Sequence, residues 1–101
     1  ITFERAVELC STNVAKIFGC DNKGSISVGK DADIVIYDKD KDFTISVDNM
    51  HSDLDHTIWE GKQLHGYPIR TYLRGNVVYD NGDFVGTPGL GEYVKRSPRK
   101  H

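Results

Sequence analysis

Phe3, Ala6, Val7, Cys10, Val14, Ile17 and Phe18 recur at intervals of three and four residues, which sets them on one face of an α-helix. Glu4, Arg5, Glu8 and Lys16 fall mostly on the opposite side. Ser11-Thr12-Asn13 interrupts the run with side chains that compete for backbone hydrogen bonds. The spacing therefore predicts a first helix to about Cys10, a kink with Thr12 as N-cap, and a short second helix closed by Gly19. An apolar face this continuous needs a partner surface.

Beyond Gly24 the period changes to two. Ser25-Ile26-Ser27-Val28 alternates and runs into a turn signal, Gly29-Lys30-Asp31. Ala32-Asp33-Ile34-Val35-Ile36-Tyr37 reads as a strand covered on both faces, Asp38-Lys39-Asp40-Lys41-Asp42 as a charged turn, and Phe43-Thr44-Ile45-Ser46-Val47 as a second alternating run. Residues 48 to 62 have no period but carry Met50, His51, Leu54, His56, Ile58 and Trp59, which predicts a long ordered loop packed on something. Ile69-Arg70-Thr71-Tyr72-Leu73 is a strand, Gly75-Asn76 a turn, and Val77-Val78-Tyr79 the return; Asn81-Gly82 turns again before Phe84-Val85. An irregular tail follows from Thr87 to His101. The fold class is α+β: a helical lead-in, part of a small β-sandwich, and a tail.

Composition changes this picture little. Of 101 residues, 38% are hydrophobic and 28% charged, with a formal net charge of -2. That is the balance of an ordinary globular chain, and it offers no whole-chain argument for nucleic acid or a membrane as partner. The longest apolar run, Ile34-Val35-Ile36-Tyr37, is far shorter than the roughly 20 residues of a membrane-spanning helix. Cys10 and Cys20 are too few for a disulfide framework and read as reduced thiols of a cytoplasmic protein. The chain begins at Ile1 and its one methionine is Met50, so a leader or a larger domain is expected upstream.

Candidate chemistry is sparse. His51-Ser52-Asp53-Leu54-Asp55-His56 gathers imidazoles and carboxylates, but its spacing lacks the short, element-fixed offsets of a zinc site, and His65 and His101 lie far along the chain. A polar loop with hydrogen-bonded surface histidines fits better. Asp31, Asp33, Asp38, Asp40 and Asp42 alternate with lysines as solvated turn residues; Asp33, inside an apolar strand, is expected to accept backbone hydrogen bonds. No nucleophile elbow or phosphate-binding glycine pattern is present. Lys95, Arg96, Arg99, Lys100 and His101 make the end basic, and a solvated or partner-bound terminus explains them better than a nucleic-acid arm. No catalytic and no metal-binding residue is expected within this chain.

The order of segments resembles the end of an amidohydrolase-superfamily enzyme. Gly24-Ser25-Ile26-Ser27-Val28-Gly29-Lys30-Asp31-Ala32-Asp33-Ile34-Val35-Ile36-Tyr37-Asp38 is similar to that superfamily's G-x-I-x-x-G-x-D-A-D-I-V-I-x-D stretch. Ser11-Thr12-Asn13-Val14-Ala15-Lys16-Ile17-Phe18-Gly19 is similar to its S-T-N-P-A-K-I-F-G helix, with Val14 in place of proline. Trp59-Glu60-Gly61-Lys62 with Gly66-Tyr67-Pro68-Ile69, the hairpin Leu73-Arg74-Gly75-Asn76-Val77-Val78-Tyr79, and the tail from Val85 to Arg96 resemble the dihydropyrimidinase and hydantoinase group in particular.

The resemblance implies a metal-dependent barrel enzyme that opens cyclic amides (dihydropyrimidines, hydantoins) to N-carbamoyl amino acids by attack of a metal-activated hydroxide. Two metals, usually zinc, would be bound upstream of this chain. Residues 1–20 would be the last helices of the (β/α)8 barrel, 21–86 a portion of the composite β-sandwich, and 87–101 an oligomerisation tail. Tyr93, Lys95 and Arg96 would reach a neighbouring subunit of a homodimer or homotetramer. This chain alone would be inactive, with the upstream barrel as its partner. Three other readings remain: a related ring such as allantoin or dihydroorotate, a catalytically silent dihydropyrimidinase-like protein, or an independent β-rich binding module over residues 21 to 86.

Overall fold

A computed structural model of the chain describes residues 1–51 and 54–98. The chain is α+β. Helix α1 spans Phe3–Val7 and α2 spans Asn13–Phe18, joined by a single wide π-helical turn over Glu8–Thr12. Thr2 caps the start, its hydroxyl oxygen accepting the Arg5 N–H at 3.1 Å.

Thr12 is not the N-cap that the sequence predicts. Thr12 stays right-handed helical (φ -59°, ψ -50°) and makes no cap bond. Its hydroxyl instead donates to the Gly24 carbonyl at 2.7 Å, tying the loop to the helix. One turn is widened without the helix ending, the single-turn form in which π-helix occurs inside α-helices. Gly19 ends α2 in the left-handed region (φ 70°, ψ 31°), as the sequence implies.

Four strands follow in one antiparallel sheet, in the order β1-β2-β3-β4: Ile34–Thr44, Gln63–Leu73, Asn76–Asp80 and Asp83–Phe84. Ser25-Ile26-Ser27-Val28 forms no strand despite its alternation, for among the described residues no strand lies beside it to complete a ladder. The charged segment Asp38–Asp42 is likewise not a turn. It lies within β1, where pairing passes from Asp38↔Tyr67 to Asp42↔His65, so that Lys39, Asp40 and Lys41 oppose Gly66 alone. The Asp40 N–H bonds the Asp38 carboxylate at 2.9 Å and stabilises this bulge. Both hairpins turn on two residues with a left-handed first position, Arg74 (φ 46°) and Asn81 (φ 47°), so the first turn falls one residue earlier than the sequence suggests.

Side chains cross the sheet in pairs. Phe43 stacks on Tyr67 with ring centroids 3.7 Å apart, and Arg70 pairs with its register partner Asp80 at 3.2 Å. The lead-in meets the sheet through few contacts, chiefly Phe3 against Tyr37 at 5.7 Å. The apolar core is minimal: among the described residues only Ala15 (9% exposed) and Ile45 (8%) are buried hydrophobics. Val35, Ile36 and Tyr37, expected to be covered on both faces, are exposed because no second layer among the described residues lies over them.

Candidate functional site

The site is built by the tail folding back on the chain. After β4, the Val85 N–H bonds the Val78 carbonyl at 3.0 Å and regular structure ends. Arg74, held in its turn by a bond from its own N–H to Asp33 Oδ1 at 2.9 Å, extends its guanidinium to the Leu90 carbonyl and to Glu92 at 3.7 Å. Further on, the Ser97 N–H donates to the Gly19 carbonyl at 2.8 Å and its hydroxyl donates to the Asp21 carboxylate. The tail is thus pinned at the β2–β3 turn and at the end of α2.

Between those pins sit Tyr93, Lys95 and Arg96, the residues singled out by sequence. With Ile17, Phe18 and Ser97 they line an open groove of about 540 Å³. Tyr93 is 90% exposed. The arrangement joins an aromatic ring, two cations and the uncovered apolar end of α2, which suits a protein surface better than a small-molecule cleft. Arg99, Lys100 and His101 lie outside the described residues.

Charges behind the tail are organised around Lys23, which pairs with Asp31 at 2.9 Å and with Asp33. Hydrogen bonding to Asp33, then to Asp31, raises the Lys23 pKa above its ordinary value. Lys23, then the Arg74 backbone N–H, hold the Asp33 carboxyl below the usual carboxylate range. Asp33 accepts a backbone hydrogen bond as expected, but it lies one residue before β1 and not within a strand, and it is only partly covered within this chain.

The histidines do not converge. His51 bonds the Gly82 carbonyl through Nε2 at 3.1 Å and meets the Tyr79 ring edge-on at 5.8 Å. His56 pairs with Asp55 at 2.9 Å, and the intervening Ser52 and Asp53 lie outside the described residues. His65 sits across the bulge, with Nδ1 2.9 Å from Asp42 and Nε2 4.0 Å from Asp40, and the bond to Asp42 raises its pKa. Among the described residues no three His, Cys, Asp or Glu side chains are grouped to hold a metal ion. No helix among them is long and apolar enough to cross a membrane.

Sequence reasoning missed the anchors Gly19, Asp21, Arg74 and Ser97. No local pattern in the sequence marks them.

Residues 1–79 match the amidohydrolase family. Across 99% of its length the chain is 41% identical to the D-hydantoinase of Ralstonia pickettii, and across 93% it is 46% identical to the dihydropyrimidinase of Rattus norvegicus. The crystal structure of dihydropyrimidinase from Brevibacillus agri superposes on all of the chain with a TM-score of 0.93 at 45% identity. These matches occupy 22%, 18% and 22% of the three relatives, so the chain spans about a fifth of their length.

Proposed function

The chain belongs to the amidohydrolase family, and we propose that it is the closing fifth of a hydrolase that opens dihydropyrimidine and hydantoin rings to N-carbamoyl amino acids. Within that enzyme the segment is structural. Residues 1–20 complete a barrel, residues 21–86 contribute strands to a sandwich, and residues 87–101 form a tail whose Tyr93, Lys95 and Arg96 meet another subunit of a homo-oligomer. The similarity to D-hydantoinase and dihydropyrimidinase, sustained across nearly the whole chain, carries the activity.

Two zinc ions are the metals we assign to the enzyme. The described residues do not fit such a centre: His51, His56 and His65 each engage a separate partner, and no three donors are grouped among them. We place the ligands in the polypeptide beyond this chain. A cytoplasmic setting accords with the free thiols of Cys10 and Cys20.

The test is a ring-opening assay on the intact protein that contains this segment, with dihydrouracil and hydantoin set against allantoin and dihydroorotate. Formation of the N-carbamoyl product from the first pair, lost on chelation and restored by zinc, is the expected result. Preference for allantoin or dihydroorotate, or no hydrolysis of any of the four, would overturn it.

A further inference from the structure

Ser97 is the only tail residue tied to the helical lead-in by both its backbone and its side chain among the described residues. Its N–H reaches the Gly19 carbonyl at 2.8 Å, and its hydroxyl donates to the Asp21 carboxylate. The fit is close, since a Cβ on Gly19 would overlap the Ser97 carbonyl oxygen. Both side-chain partners in this latch are polar, and the hydroxyl proton is what joins them. Were that proton replaced by an anion, Ser97 would face Asp21 as like charge against like.

The surrounding sequence is Lys95-Arg96-Ser97-Pro98, continued by Arg99-Lys100. A serine followed by proline and flanked by cations, in irregular chain with no ladder partner, has the character of a phosphoacceptor. We propose that Ser97 accepts a phosphoryl group from a nucleoside triphosphate through a proline-directed serine/threonine protein kinase, and that the modification releases the tail from α2. In the transfer, Ser97 Oγ bonds to the γ-phosphorus, the bond from that phosphorus to the nucleoside diphosphate breaks, and the hydroxyl proton passes to a base of the kinase.

The product carries about -1.5 to -2 charges and no longer has a proton to donate to Asp21. Lys30 bonds the Asp21 carbonyl, and Lys95 and Arg96 line the groove beside Ser97, with Lys95 also lining the neighbouring pocket that contains Asp21. The phosphate is repelled from Asp21 and drawn toward the tail's own cations, so the Ser97 N–H leaves the Gly19 carbonyl.

The experiment treats the intact protein with such a kinase and ATP, locates the phosphate by peptide mass spectrometry, and follows hydrogen exchange of the Ser97 amide. The expected result is one phosphoryl group on Ser97, abolished in Ser97→Ala, with exchange about tenfold faster or more. In Asp21→Asn the neutral amide repels nothing, so phosphorylation accelerates exchange less than in the wild type. Absence of phosphate on Ser97 would overturn the proposal, as would unchanged exchange on phospho-Ser97 or an undiminished acceleration in Asp21→Asn. None of these readouts depends on ring opening, so they succeed or fail separately from the hydrolase reading.

Discussion

Asp33 divides its two carboxylate oxygens between distant parts of the chain. Oδ1 accepts the N–H of Arg74, 41 residues away, and Oδ2 pairs with Lys23. Because the side chain keeps 31% of its exposure and Lys23 only 22%, solvent screens the pair partially. The bond from a fixed backbone donor is therefore the more dependable contribution. A carboxyl held below its ordinary 3.8 stabilises the fold at any pH above that unfolded value, and the stabilisation fades as pH falls through the lower folded value. Asp33→Asn keeps an acceptor for Arg74 but loses the charge, and should destabilise the intact protein by about 1–2 kcal/mol at neutral pH. Thermal unfolding of both proteins from pH 7 downward checks this. The deficit should narrow below pH 3.8, and a deficit independent of pH would show that the charge contributes nothing.

The edge strand β1 is where sequence and structure part most instructively. Alternating aspartates and lysines look like a solvated turn, yet they form a bulge whose cause lies in β2, where Gly66 alone faces three residues. Gly66 is buried at φ 99°, and the Tyr37 hydroxyl lies so close that a Cβ there would overlap it. An edge strand carrying charges and a bulge is poorly suited to pair with foreign strands. Gly66→Ala combines backbone strain with displacement of the Tyr37 ring, and should cost about 2 kcal/mol or more in urea unfolding of the intact protein. A loss below 0.5 kcal/mol, the range of ordinary surface changes, would count against this role for Gly66. What the sequence made legible was local: the helical face from Phe3 to Phe18, the stop at Gly19, and the strands around two tight turns. What it hid needed a partner far along the chain. Ser25–Val28 alternates without any strand beside it among the described residues, and Thr12 turns from capping to Gly24. In the candidate site Tyr93, Lys95 and Arg96 could be named from their types, but the bond from Ser97 to Asp21 spans 76 residues, and no local pattern encodes it.

The surface of the whole chain carries the strongest argument that it folds as part of something larger. It exposes 8191 Å², against about 5,700 Å² for a compact monomer of its 11.3 kDa. Its radius of gyration is 15.8 Å, where about 13 Å is ordinary for this length. The excess of about 2,500 Å² compares with the 1,000–2,500 Å² or so that one partner buries in a large obligate interface. It is apolar where it matters: Phe3, Val7, Ile17 and Phe18 on the helices, Val35 and Tyr37 on β1, and Leu54, Ile58 and Trp59 in the loop before β2 are all exposed. Such a surface, around a core of two buried hydrophobics among the described residues, leaves too little burial to offset the chain entropy lost on folding. Produced alone, residues 1–101 should therefore melt without a cooperative transition and bind a hydrophobic dye such as ANS strongly, as states lacking fixed packing do. The same residues within the intact protein should exchange their β1 and β2 amides slowly, because the apolar faces are then covered. A sharp thermal transition of the isolated chain, with no dye bound, would mean that its own contacts suffice, and the exposed faces would need another explanation.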